Sequence, residues 1–150
     1  MHEKIWLKLS LMTLLSFIAM YFLMYSMINT IANLIPSVNQ VYMAGSMTTA
    51  MVAIELIVMG SMYRNKAARY ALIAASVVLT IVLVLFTRYQ TAIGDRDFLR
   101  SMIPHHSGAI LMCANENFRD PEILALCEKI SSGQQQEIDQ MNAIRERLRR

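Results

Sequence analysis

The sequence predicts an all-α membrane protein, with three transmembrane helices followed by an extracytoplasmic antiparallel helical hairpin. Three observations carry that reading. The 150-residue chain is 55% hydrophobic with a mean hydropathy of +0.38, too apolar for an ordinary soluble domain. Three windows, about 5–28, 41–62 and 70–86, reach the roughly 20 mostly apolar residues that a spanning helix needs. Beyond Gly94 the apolar residues recur at three and four, broken once at Arg119-Asp120-Pro121-Glu122, as two amphipathic helices require.

The first window follows Lys4 and Lys8, as a signal peptide would. It outruns an h-region of about 7–15 residues and lacks a small-residue cleavage site, so it reads as a retained anchor. Basic residues flank the N-terminus and, as Arg64, Lys66 and Arg69, the second connection, while residues 29–40 carry no charge. The positive-inside rule then gives a multi-pass protein of the inner (cytoplasmic) membrane with a cytoplasmic N-terminus. The C-terminal part lies in the periplasm or outside the cell. Trp6, Tyr63 and Tyr70 suit the inner aromatic belt, and Tyr42 and Tyr89 the outer one. Residues 1–92 form the membrane domain and 93–150 the external one.

The net charge of +3 hides an asymmetry: six basic and two acidic residues up to position 94, eight basic and nine acidic after it. No basic groove with interleaved aromatics appears, which argues against nucleic acid as a partner. There is no phosphate loop, nucleophile-base-acid set or pair of catalytic carboxylates, so no enzymatic activity is expected.

The external helices are expected at Asp97 to Phe118 and Pro121 to Leu148. Asp120 is suited to cap the second helix, with Pro121 in its first position and Glu122 at the positive end of its dipole. Pro104 either kinks the first helix or marks a later start near Ser101. At about 100° per residue, Met102, His105, His106, Met112, Cys113 and Glu116 share one face. The matching face of the second helix carries Ile123, Cys127, Gln134, Glu137, Ile138 and Met141. Equal distances from the turn set Cys113 opposite Cys127, the histidines opposite Gln134, and Met102 opposite Ile138 and Met141. In an oxidising compartment Cys113 and Cys127 are candidates for a structural disulfide; the alternatives are free buried thiols or thiolates on a soft metal. Adjacent imidazoles between thioethers are ligands preferred by soft, late first-row metals. The plainer alternative is a polar seam with methionines filling gaps.

The run Asp97-Phe98-x3-Met102-x2-His105-His106-x2-Ala109-x2-Met112, followed by Gln134-x2-Glu137-Ile138-x2-Met141, resembles the domain of unknown function 305 family over roughly the last third of the chain. The resemblance implies a ferritin-like half-bundle and, from some members, copper binding outside the cytoplasm. It makes Met102, His105, His106, Met112 and Met141 the candidate metal ligands. Thioether and imidazole donors favour Cu(I) over Cu(II), and Gln134 or Glu137 is suited to orient an imidazole through its second nitrogen. A hairpin of this size buries too little to stand alone. A homodimer or higher homo-oligomer, two hairpins rebuilding a four-helix bundle, is expected.

In the membrane domain, Met43, Met47, Met51 and Glu55 form a drifting stripe and a candidate intramembrane site, with Met20, Met24 and Met27 of the first span turned toward it. Ordinary apolar packing is the better explanation of the methionines themselves. Glu55 is an ionisable group inside a span, with Lys8 as a candidate partner. Ala67, Ala71 and Ala75 form a ridge for close helix packing. The tail from Arg145 to Arg150 either meets lipid headgroups or simply complements the helix dipole. The expected function is membrane-anchored copper binding, as Cu(I), in extracytoplasmic storage, delivery or resistance. The rivals are a non-metal oligomerisation or partner-binding module, and a small metal transporter using the Met stripe and Glu55.

Overall fold

The computed structural model describes residues 2–114 and 117–149. These form α1 (His2–Leu23), α2 (Val38–Val58), α3 (Lys66–Arg88), α4 (Asp95–Cys113) and α5 (Pro121–Arg149), with single 3₁₀ turns at Met24–Met27, Ile31–Asn33 and Gly60–Met62. Three of the helical stretches, Lys4–Met27, Val38–Val58 and Lys66–Arg88, are long and apolar enough to cross a membrane. The second starts and ends earlier than the 41–62 window, because α2 begins just after Pro36 and gives way near Gly60 to a 3₁₀ turn. The third starts earlier than the 70–86 window, because the Asn65 side chain caps it by accepting from Ala68 N at 3.0 Å.

The chain divides into two compact units, residues 1–24 with 39–91, and residues 25–38 with 92–150. The second unit therefore takes in the uncharged segment 25–38 besides α4 and α5.

In the first unit, Leu9, Val52, Leu56 and Tyr63 make the buried cluster, with Trp6 and Ile73 against it. The Trp6 and Tyr63 rings sit 5.1 Å apart. Thr49 and Thr80 share a hydroxyl hydrogen bond of 2.7 Å between α2 and α3, and Gly45 nearby leaves the space that Leu83 fills. Close packing thus runs through Gly45, Thr49, Ser76 and Thr80. The Ala67, Ala71 and Ala75 ridge is exposed instead, since α3 turns its hydroxyl-bearing face to α2.

In the second unit, Ile35, Leu99, Ile103, Ile138 and Met141 form the core, with Met102, Ile110, Ile144 and Leu148 packed around it. Asp120 Oδ1 accepts from Glu122 N at 2.8 Å and Ile123 N at 3.2 Å, which starts α5 at Pro121. Pro104 lies inside α4, which begins at Asp95 and not near Ser101. α4 ends at Cys113, short of Phe118, where Ala114 N reaches both Ile110 O and Leu111 O. Contacts pair Cys113 with Cys127, His106 with Glu137 and Arg96 with Leu148, so residues early in one helix meet residues late in the other. Ile123 is exposed, because the apolar seam between the helices is centred further along, at Ile138 and Met141.

Candidate metal centre

The Pro-His-His-Ser-Gly run lies on the continuous turns of α4, and each residue takes a different environment. His105 is exposed, His106 half-buried, Ser107 and Gly108 buried. The two imidazole rings are 6.2 Å apart between centroids. The His106 side chain, 13% exposed, brings Nδ1 to 3.0 Å from Glu137 Oε2 of α5. That nitrogen is shielded from solvent and makes no hydrogen bond among the described residues, so the contact is a close approach and not a directed hydrogen bond. Gln134 Nε2 donates to the same Glu137 oxygen at 3.5 Å. Glu137 therefore stands between Gln134 and His106.

Met141 is buried in the core, and Met102, one turn before His106, packs against the same cluster. Met112 is 62% exposed beside the disulfide end of α4. The structure thus gathers His106, Glu137 and Gln134, sets Met102 and Met141 in one cluster, and leaves His105 and Met112 facing outward. Cys113 and Cys127 are joined as a disulfide with Cα atoms 5.0 Å apart. Among the described residues, no group of three or more His, Cys, Asp or Glu side chains comes together as a metal site. A metal held here would therefore have to draw on thioethers. Glu116 and Arg150 lie outside the described residues.

Sequence reasoning missed what holds α4 in place. Ser107, fully buried, accepts from Asn29 N at 2.8 Å and donates to Asn29 Oδ1 at 2.5 Å, while Asn33 Nδ2 donates to that same oxygen at 2.9 Å. Gly108 allows the approach, since a Cβ there would lie 3.2 Å from Met27 O. The residues after the histidine pair thereby dock the segment 25–38. The only signal in the sequence was the pairing of small residues on α4 with asparagines in an uncharged connection.

Of the intramembrane candidates, Met43 and Met47 are exposed and Met51 and Glu55 half-buried. Thr48, not a second thioether, donates to Met20 Sδ at 3.4 Å. Glu55 and Lys8 form no ion pair among the described residues. Glu55 instead acts on Tyr63, whose phenol is pushed above the ordinary tyrosine range by burial and, secondarily, by the carboxylate charge.

The family described as Domain of unknown function (DUF305) matches residues 82–145, from the last turns of α3 through most of α5. An uncharacterized protein of Acanthamoeba polyphaga mimivirus is 32% identical over 137 residues, covering 89% of this chain and 88% of that protein. The similarity therefore reaches the membrane-length helices as well. No solved structure matches the chain.

Proposed function

The chain belongs to the domain of unknown function 305 family, and from that premise we propose that it is a membrane-anchored copper-binding protein, taking the metal as Cu(I) for extracytoplasmic storage, delivery or resistance. The observation that carries the reading is the approach of His106 Nδ1 to Glu137 across α4 and α5. On metal binding, a small turn of the ring would let Nδ1 donate to the Glu137 carboxylate 3.0 Å away, fixing the imidazole and leaving Nε2 for the metal. Met102, four positions before His106 on α4, supplies a thioether to the same region, with Met141 in the same cluster. When bound there, copper would be held by a sulfur and nitrogen donor set that suits the monovalent ion.

Met112 and His105 face outward and complete the set through a second copy of the chain. The exposed apolar side chains of this unit, Phe98, Leu111, Leu124 and Leu126 among them, support that assembly, because a solvated helix pair rarely shows so many. Two hairpins then make a ferritin-like four-helix bundle, with the dimer as its smallest form. The charge distribution around the spans supports an inner-membrane protein whose helix pair lies outside the cytoplasm.

Competition for Cu(I) against a chromophoric chelator tests the assignment. The His105→Ala, His106→Ala double variant should lose more than about tenfold in affinity, since even residues that merely orient ligands are worth about 10–100-fold. An affinity equal to that of the parent defeats the reading. The exposed apolar face also favours a second reading, a metal-free oligomerisation module. That reading gains if Cu(I) leaves the melting temperature unchanged, because a ligand specific for the native state must stabilise it.

A further inference from the structure

The unit formed by residues 25–38 and 92–150 holds a second feature that copper does not use. Arg96 and Arg100 of α4 and Arg145 and Arg149 of α5 line one cleft of about 390 Å³, together with Ile35 and Pro36. Four like charges repel unless matched. Asp97 Oδ1 lies 3.7 Å from Arg100, and Glu146 Oε1 is 3.0 Å from Arg149. Arg96 donates to the Leu148 carbonyl, a neutral acceptor. Arg145 Nε is buried and has no hydrogen-bond partner among the described residues. Among the described residues two guanidinium charges are thus left over, and one buried donor lacks a protein acceptor.

We propose that this cleft binds a phosphate group, supplied by an anionic lipid headgroup or by free phosphate. Guanidinium forks match phosphate oxygens in pairs. Here they come from two helices and not from one plane, which suits a tetrahedral anion. A phosphate monoester or inorganic phosphate, with nearly two negative charges, balances the excess that Asp97 and Glu146 leave, and a phosphodiester, with one, balances half of it. The proposal rests on no part of the copper reading.

The test uses the full chain in detergent and in vesicles. Phenylglyoxal modification of Arg145, mapped by mass spectrometry, is followed with inorganic phosphate, with phosphatidylcholine vesicles, and with vesicles containing one-third phosphatidylglycerol. The cleft predicts slowing of several-fold. Protection by inorganic phosphate in detergent assigns free phosphate as the ligand, and protection only by phosphatidylglycerol assigns the headgroup. Equal modification under all conditions overturns the proposal. Arg145→Gln should lower the affinity for whichever ligand protects by about tenfold, the worth of one charge-assisted hydrogen bond, with Arg145→Lys falling between. Because the protection arm needs no variant, a misfolded Arg145→Gln leaves the proposal open to refutation.

Discussion

Replacing Ser107 with alanine removes one oxygen that serves the Asn29 amide and the Asn29 side chain at once. Ser107 is fully buried, so water has no ready access to the vacated position. Asn29 Oδ1 keeps its bond from Asn33 Nδ2, but the Asn29 N–H is left without an acceptor. A stranded buried donor costs about 1–3 kcal/mol. Taking about 2 kcal/mol, opening of the segment 25–38 should become roughly 30-fold more frequent, with α4 and α5 still paired. Amide hydrogen exchange read by peptide should show faster exchange through residues 27–34 and little change around Ile138. Gly108→Ala should act in the same direction, because its Cβ would press on the Met27 carbonyl at 3.2 Å. Unchanged exchange in residues 27–34 of Ser107→Ala would refute the docking of this segment on α4.

Three further outcomes are expected. Reducing the Cys113–Cys127 bridge, which closes a sequence separation of 14, should cost about 3 kcal/mol of unfolding free energy; a melt of the helical signal unmoved by reductant would contradict this. Ile103→Ala, at a position with no exposed surface, should destabilise by about 2–5 kcal/mol in chemical unfolding, whereas Leu126→Ala, which is exposed, should scarcely register in monomeric protein. Glu137→Gln should weaken Cu(I) binding by about 10–100-fold while leaving the helix content intact; an unaltered affinity would separate Glu137 from the site.

The elements that could be read from the sequence were those fixed locally. Hydrophobic length gives the three membrane-length helices, and the Asp120-Pro121-Glu122 run places the start of α5, since a cap needs only neighbours. Counting outward from that turn sets the register of α4 against α5, because both helices rise by the same amount per residue. The edges of α2 and α3 were harder, as Asn65 is a cap in the middle of basic residues and apolar windows do not stop where helices stop. The Met43 and Met47 stripe was ambiguous in principle: lipid and helix neighbours are equally apolar, and the period alone does not say which one a thioether meets. The Asn29–Ser107 bonds and the arginine cleft join residues from distant parts of the chain, which no local pattern announces. At the candidate centre, residue types and spacing pointed to α4, but the closeness of His106 to Glu137 and the outward placement of Met112 required coordinates.

X-ray absorption at the copper edge, on the Cu(I)-loaded full chain, tests the central claim most directly. The account predicts thioether sulfur and imidazole nitrogen in one coordination shell, with the nitrogen contribution lost in the His105→Ala, His106→Ala variant. A shell without sulfur, or one identical in parent and variant, would contradict it.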